Sequence, residues 1–574
     1  MPAITIPAMP DPPEVQLVMI SRVNAARVVA IVLVWGWDGG GGGRSAAENS
    51  AGNTEVEGPL AASSDGRRLV SASGTPVPVL GDAAQGLMVN LSTAQANAYF
   101  AARAEQGFNA AWVNVLVTTY TGGREDAKTY DGIAPFTQTL SGDGEYDIRF
   151  PNETYFAHVD EIVAAAAEHG IHLFFDPIET GGFLDTLSAN GLTAAREYGR
   201  FLGRRYKDAN NIVWMSGNDF RTWTDDYYDK LVYEVALGIR DEDPRHLHTT
   251  ELDDPLSSSL EDPRWHPILG INNTYTYFPT YAQLYVDWER NPHLPNVFIE
   301  GNYEGQALSH TIRVTTGFDV RNTMWWAVLA GATGAFGGNH WTNHFLPDWP
   351  SHLADSGADS VRYLRGFLTW KRWDLLEPDI HHTVAIAGYG TFSNCCTAQD
   401  NDYVTTARAS DGSLVISYFP VPHDLVINMS SLAGPATAGW FDPATGTWTQ
   451  DPDSEVPNAG LRVFTPPATL HADGSSDWVL VIGMPEPIRL AMLGAGAALL
   501  QWLARRRRVA GPALARGSRG TVRASRSPCA SRRGRAGPRS RAGRCWAQGS
   551  SRGGNRLFDP HQKRRSRGRR NSLH

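Results

Sequence analysis

Two short apolar runs constrain this chain more than any other feature, because each ends by delivering a carboxylate. Asn211-Ile-Val-Trp-Met-Ser-Gly-Asn-Asp-Phe220 is apolar from Ile212 to Met215 and then breaks off at small and polar residues that end in Asp219 and Phe220. Asn296-Val-Phe-Ile-Glu-Gly-Asn-Tyr-Glu304 repeats the form, with Val297 to Ile299 leading to Glu300. A continuous apolar run of this length, stopped by polar residues, reads as a strand buried on both faces whose C-terminal end opens into a cleft. In a parallel α/β barrel every strand end of one sense faces one rim, so residues about eighty apart in sequence meet across one pocket. Taken singly, each acid also suits the cap of a following helix. Their matching positions favour a shared site.

The rest of the body supports that geometry. Strands are expected at Val77–Asp82, Ala111–Val117, Ile171–Asp176, Ile212–Met215, His246–Glu251, Ile268–Asn273, Val297–Glu300 and Gly331–Trp341. Helices are expected at 93–106 (capped by Ser92), 155–169, 192–206, 227–240, 281–289 and 318–330. Eight strands alternating with helices over about 270 residues fit a (β/α)8 TIM barrel, with Asp219 ending strand four and Glu300 ending strand seven. A polar insertion, Thr119 to Phe150, is long for a barrel loop and is a candidate pocket wall. After Trp373 only short strands separated by Gly, Pro and Asp turns remain, the pattern of an all-β sandwich.

At 574 residues the chain is too long for one core. Five segments are expected: an export signal and flexible linker (1–68), the barrel (69–372), the sandwich (373–483), a second signal (484–508) and a basic tail (509–574). In the first, Arg22 and Arg27 precede the apolar run Val28 to Trp37, the layout of a bacterial export signal, and Gly39 to Gly43 open a linker. The formal net charge is -9, but 22 of the 51 Lys and Arg lie between Arg505 and His574, against the single acid Asp559. The remaining 29 basic and 59 acidic residues give the body a net charge of -30, which argues against nucleic acid as a partner.

Paired carboxylates in one pocket are the equipment of glycoside hydrolysis. A neutral acid protonates the departing oxygen while a negative group faces the developing oxocarbenium ion. Asp219 is assigned as acid/base and Glu300 as nucleophile. Asp82, Asn218, Tyr303, Glu304, His340 and Trp341, at other strand ends on the same rim, are the substrate-binding candidates. Glu304 equally suits a solvated loop residue, and His340 and Trp341 equally suit plain packing. No metal is expected: His381 and His382 point apart on a strand, and no paired Cys-x-x-Cys or His-Glu-x-x-His spacing occurs. No cofactor is expected either, since neither a phosphate-binding loop nor a dinucleotide fingerprint is present. Adjacent Cys395 and Cys396 are expected to have at most a local structural role on a sandwich loop.

Several motifs in order carry a family resemblance: Val79-Leu-Gly-Asp82, Gln106-Gly-Phe-Asn109, Tyr155-Phe-Ala-His-Val-Asp160, Tyr198 to Tyr206, Asn211-Ile-Val-Trp214, Gly217-Asn-Asp219, Glu300-Gly-Asn-Tyr-Glu304 and the glycines before Asn339-His-Trp341. Over roughly Leu69 to Ile482 the chain resembles the apiosidase-like proteins of glycoside hydrolase family 140. The resemblance implies that a strand-four Asp and a strand-seven Glu, here Asp219 and Glu300, form the catalytic pair. It also points to apiose or another terminal pentose as the sugar released. Two departures matter. Asn218 stands where the family usually has Gly, similar to a wider superfamily of retaining barrels in which this Asn contacts the sugar 2-hydroxyl. That superfamily carries Glu where Asp219 sits, so the carboxylate spacing, and with it retention or inversion, stays open. Trp440 to Trp448 resembles the sandwich that follows the barrel in this family. Pro485-Glu-Pro487, the apolar run Ile488 to Leu503 and Arg505 to Arg508 resemble the sorting signal of exosortase systems, known as PEP-CTERM. That implies sorting machinery as a partner, transient membrane contact and a place in the cell envelope or outside the cell. The alternative function is a non-catalytic surface protein that binds carbohydrate or mediates adhesion.

Overall fold

A computed structural model describes residues 56–141, 144–220 and 226–483. The expected export signal with most of its linker, the sorting signal and the basic tail lie outside the described residues. Eight parallel strands form the barrel wall: β1 (Val79–Ala83), β2 (Ala110–Asn114), β3 (His172–Asp176), β4 (Ile212–Met215), β5 (His248–Thr249), β6 (Asn272–Thr276), β7 (Asn296–Glu300) and β8 (Gly334–Gly337). The sheet runs in the order β5-β4-β3-β2-β1-β8-β7-β6 and ends on a short antiparallel strand, Leu256–Ser258, beside β6. Its two ends approach where the amides of Gly270 and Ile271 donate to the His248 carbonyl, at 2.8 and 3.3 Å.

Strand alternation divides the side chains into two layers. Val79, Ala83, Ala110, Trp112, Phe174, Val213, Met215, Tyr275, Val297, Ile299 and Phe336 fill the barrel interior. Ala111, Val113, Leu173, Phe175, Ile212 and Trp214 face outward into the helices. Those helices are α1 (Thr93–Glu105), α2 (Glu153–Glu168), α3 (Thr180–Tyr206), α4 (Asp226–Glu242), α5 (Thr280–Glu289), α6 (Gly317–Leu329) and α7 (Ser356–Trp370). Ser92 caps α1 in a reciprocal box with Gln95, as the sequence led us to expect.

Three elements differ from expectation. Helix α3 starts twelve residues earlier than Leu192, at Thr180, and turns at Gly191, whose φ of 81° is open to glycine. Its Gly181-Gly182 start reads as a loop, yet a Cβ on Gly181 would fall 2.2 Å from the ring of Tyr120, so glycine there admits a close neighbour. Strand β6 lies four residues beyond the expected Ile268–Asn273. The apolar Ile268 and Leu269 pack outside the barrel, whereas the polar Asn272–Thr276 forms the strand, held by Asn272 to Asn296 (3.0 Å) and Thr274 to Asp287 (2.7 Å). Helix α7 was not expected, although Val361, Leu364, Phe367 and Leu368 recur at helical spacing; they share a core with Leu80 of β1 and Ala335 of β8.

The sandwich follows as a six-stranded antiparallel sheet and a smaller three-stranded one. The larger has the order β9 (Leu376–Pro378), β11 (Thr405–Ala409), β12 (Leu414–Phe419), β17 (Trp478–Gly483), β14 (Ala436–Phe441), β15 (Trp448–Val456). The smaller joins β10 (Ala385–Ala387), β13 (Leu425–Asn428) and β16 (Leu461–Phe464). The outer face of the larger sheet packs on α6, where Trp325 stacks on Tyr418 and Arg321 pairs with Asp477. Cys395 and Cys396 are bonded to each other on an exposed loop between β10 and β11.

Candidate active site

The C-terminal ends of β3, β4, β5 and β7 bring four carboxyls to one mouth: Asp176, Glu251 and Glu300, which are buried, and Asp219, which is half-buried. The route of the chain after β4 explains how Asp219 is aimed. Gly217 (φ 81°) and Asp219 (φ 49°) both adopt the left-handed region, which costs a non-glycine residue on the order of 1–3 kcal/mol and recurs at working sites. Asp176 Oδ1 accepts the Gly217 amide at 3.0 Å, and Glu251 Oε2 accepts the Asp219 amide at 3.3 Å. The Asp219 side chain is thereby turned toward two phenols. Tyr120 donates to its Oδ2 at 2.6 Å, and the Tyr275 hydroxyl lies 2.8 Å from its Oδ1. The same hydroxyl is 2.8 Å from that of Tyr277, which lies 3.1 Å from Glu300 Oε1. Asp219 and Glu300 are therefore the two ends of one hydrogen-bonded chain through Tyr275 and Tyr277.

A second layer holds the phenols. Glu179 accepts the amides of Thr118 and Thr121, both at 2.8 Å, and their hydroxyls as well, fixing the turn that carries Tyr120. Tyr277 stacks on His310, with ring centres 4.0 Å apart, and His310 pairs with Asn302 at 3.0 Å. Burial keeps His310 neutral by pushing it down to about 4.

The mouth is electrostatically one-sided. Burial pushes Asp219 up, against the pull of the Tyr120 and Tyr275 hydroxyls. Burial and then the Asp219 charge hold Glu300 well above the carboxylate range; burial and then the charges of Glu300 and Asp219 do the same to Glu251. Burial alone accounts for most of the rise at Asp176. Among the described residues no Lys or Arg pairs with any of the four. Like charges gathered in a low dielectric disfavour one another, so each acid of the mouth that ionises makes the next harder to ionise. Buried polar atoms without partners gather there too: Asp176 Oδ2, Asn218 Nδ2, Glu251 Oε1 and Glu300 Oε2. Native interiors rarely leave such atoms idle unless something binds them. Among the described residues no cluster of three or more His, Cys, Asp or Glu side chains has the arrangement to hold a metal ion.

Residues 63–374 match the family model described as "Apiosidase-like, catalytic domain", more than half of the chain. The chain belongs to the apiosidase-like family. Residues 395–483 of this apiosidase-like chain match the model "Putative collagen-binding domain of a collagenase". No curated protein matches it. Among solved structures, one described as a glycoside hydrolase superposes with a TM-score of 0.63 at 21% identity, covering 75% of this chain and 97% of its own. A glycoside hydrolase family 5 structure from Bacteroides vulgatus ATCC 8482 gives the same TM-score and identity, covering 75% and 94%. Those likenesses establish the fold; with the family they support a glycosidase.

Of the eight site residues expected from sequence, the apiosidase-like mouth gathers Asp219, Glu300, Asn218 and Tyr303. Asn218 is fully buried, its Oδ1 held by the Thr180 amide at 3.0 Å while its Nδ2 stays free. Tyr303 is buried beside Glu300, and its hydroxyl receives Gln85 Nε2 at 3.3 Å. Asp82 needs correction, and the other three are held by contacts of their own. Asp82 points out of the barrel, because strand alternation turns it into α1, where Arg103 pairs with it at 2.6 Å and Tyr99 donates to it. Glu304 is not a solvated loop residue: half-buried at the start of α7, it accepts the Gly357 amide at 2.9 Å and the Ser356 hydroxyl at 3.1 Å. Trp341 is sandwiched, with His352 stacked 3.7 Å away on one side and Gly305 so near that an added Cβ would lie 2.2 Å from its ring. His340 is half-buried and edge-on to Trp341, a contact that suits the packing role the sequence also allowed.

Sequence reasoning missed Glu251, Tyr120, Tyr275 and Tyr277. Glu251 ends the expected strand His246–Glu251, which is polar and lacks the apolar run that led to Asp219 and Glu300. Tyr120 lies in the insertion marked as a pocket wall. The two remaining tyrosines were hidden by the misplaced sixth strand.

Proposed function

We propose that the protein is an exported retaining glycoside hydrolase that removes a terminal sugar, apiose or another pentose, from polysaccharide side chains. Asp219 is its acid/base and Glu300 its nucleophile. The observation that carries this reading is the hydrogen-bonded chain Asp219–Tyr275–Tyr277–Glu300. Its three hydrogen bonds need three protons and the two phenols own two, so one carboxyl supplies the third. One protonated and one ionised carboxyl is the state that glycoside cleavage requires. With the proton on Asp219, the chain runs in one sense, from Asp219 to Tyr275 to Tyr277 to Glu300. Asp219 then gives its proton to the glycosidic oxygen as Glu300 attacks the anomeric carbon, and afterwards takes a proton from the water that releases the sugar. The free Asn218 Nδ2 suits a sugar hydroxyl beside the anomeric carbon, and it favours retention, as do the strand-four and strand-seven positions of the acids. The non-catalytic reading gives no reason to keep two acids at the cost of burying them without a cation.

A screen on oligosaccharides with branched furanose ends tests the activity, with NMR following the first-formed anomer. Release of the terminal sugar with retained configuration is expected. A first product of inverted configuration overturns the retaining mechanism alone, and no cleavage across the panel overturns the glycosidase. Export and sorting rest on the sequence, and an intact mass from the native host placing the C-terminus near Pro485 is the expected result.

A further inference from the structure

Glu251 has no role in the mechanism above, yet it lies deeper in the mouth than a bystander would. It is 1% exposed at the end of β5, touching Asp219 through one long amide bond, and its Oε1 has no partner. Glu300, which its carboxyl approaches, has an idle buried oxygen of its own, Oε2. Two idle carboxyl oxygens on neighbouring buried side chains are costly as a pair of anions and satisfied at once if a single proton lies between them.

We propose, on the reading that Asp219 and Glu300 act on a glycosidic bond, that Glu251 is a neutral positioning residue whose hydroxyl donates to Glu300 and fixes Glu300 as the one anion of the mouth. The surroundings decide which partner keeps the proton. An ionised Glu251 has only the Asp219 amide, at 3.3 Å, as a further donor. An ionised Glu300 has the Tyr277 hydroxyl at 3.1 Å, with Tyr303 close by. The groups facing Glu251 from neighbouring elements are acids or phenols: Tyr120 after β2, Asp176 after β3, Asp219 after β4, Tyr275 on β6, and Glu300 with Tyr303 on and after β7. None of them favours a second negative charge. With Glu251 neutral, its Oε2 accepts the Asp219 amide as a carbonyl oxygen and Glu300 receives two hydrogen bonds. The tyrosine chain is then polarised from Asp219 toward Glu300, the sense that arms Asp219 as the acid.

The test begins without substrate. An infrared difference spectrum between the parent protein and Glu251→Gln near neutral pH should show the loss of one protonated-carboxyl carbonyl stretch. An unchanged carboxyl band overturns the proposal, whatever the substrate proves to be. On an aryl glycoside whose leaving group needs no proton, Glu251→Gln should keep kcat within about tenfold of the parent, and Glu251→Leu should lose about 10- to 100-fold more with little change in KM, since only Gln keeps a neutral donor. Parent activity on that glycoside should fall as rising pH strips the Glu251 proton, and the fall should be absent from Glu251→Gln. Equal losses in the two variants, or an alkaline fall that survives in Glu251→Gln, overturn the proposal. A parent inactive on every glycoside counts against the glycosidase reading and leaves the infrared result to decide the role of Glu251.

Discussion

Two buried acid clusters in this molecule are built on opposite rules. At the seam between barrel and sandwich, Asp477 is fully buried and Arg321 nearly so, and they meet in a two-pronged pair at 2.8 and 2.9 Å. Tyr418 donates to the same carboxylate at 3.1 Å, and Asp473 takes the other side of the guanidinium at 3.0 Å. Every charge there has an opposite. At the mouth, four acids share phenols and amides and, among the described residues, no cation. The seam spends its desolvation on holding two domains together; the mouth leaves its acids unbalanced, which keeps protons available and stability low. A site needing one proton-loaded and one negative carboxyl cannot use the seam's solution, because a guanidinium would ionise both.

The largest expected effect sits at the mouth. Glu300→Gln removes the proposed nucleophile and almost no volume, so kcat should fall on the order of 10⁴-fold or more, while substrate is still bound. The same change should leave stability unaltered or raise it by about 0.5–2 kcal/mol at pH 8, because it deletes an acid that burial disfavours. Turnover within tenfold of the parent would break the assignment. Arg321→Leu is the counterpart at the seam. It strands Asp477 in the interior and should cost about 3–5 kcal/mol in chemical denaturation. A loss under 1 kcal/mol would mean that the seam is no better balanced than the mouth.

How much of this contrast was legible in the sequence follows from how each region is made. Apolar strands such as Ile212–Met215 and Val297–Ile299 announce themselves, since burial on both faces demands continuous apolar side chains, and they led directly to Asp219 and Glu300. Strand β6 does not, because Asn272, Asn273 and Thr274 are kept inside by hydrogen bonds to Asn296, Ser259 and Asp287 that only the fold brings near. Tyr275 and Tyr277 went unseen with it. Asp82 failed for a different reason: a period of two decides whether a strand-end acid faces the pocket or the helices, and one residue of register separates the two. Arg321 and Asp477, 156 positions apart, have no local pattern at all.

Intermediate effects sharpen the division of labour inside the mouth. Asp219→Asn removes the proposed acid but leaves an acceptor for Tyr120 and Tyr275, so glycosides with poor leaving groups should lose about 10²- to 10⁴-fold in kcat. Aryl glycosides with good leaving groups, which need no proton, should be largely spared in the glycosylation step. Pre-steady-state release of the aryl group checks this. Equal losses for both classes would assign Asp219 a task other than proton transfer.

The smallest effect is the most direct measure of the contrast, because it sets the two clusters against each other in one titration. Asp176, Glu251 and Glu300 bind their protons more tightly folded than unfolded, since burial raises all three. The stability this gives is fully present below the ordinary carboxylate range, near pH 4, and is lost as pH rises toward their folded values. Asp473 at the seam has the opposite sign: burial works against it, but the Ser475 hydroxyl and the Arg321 charge hold it below its ordinary value. Its contribution is present above about pH 4 and is lost on acidification. Thermal unfolding between pH 4 and 8 should therefore show a Tm that declines by about 2 °C or more on the alkaline side. Glu300→Gln should flatten that decline, whereas Arg321→Leu should lower Tm at every pH and leave the alkaline slope in place. If Glu300→Gln keeps the parent slope, Asp176 and Glu251 are ionised along with Glu300 at neutral pH in the folded protein, and the cluster carries its charge as the seam does.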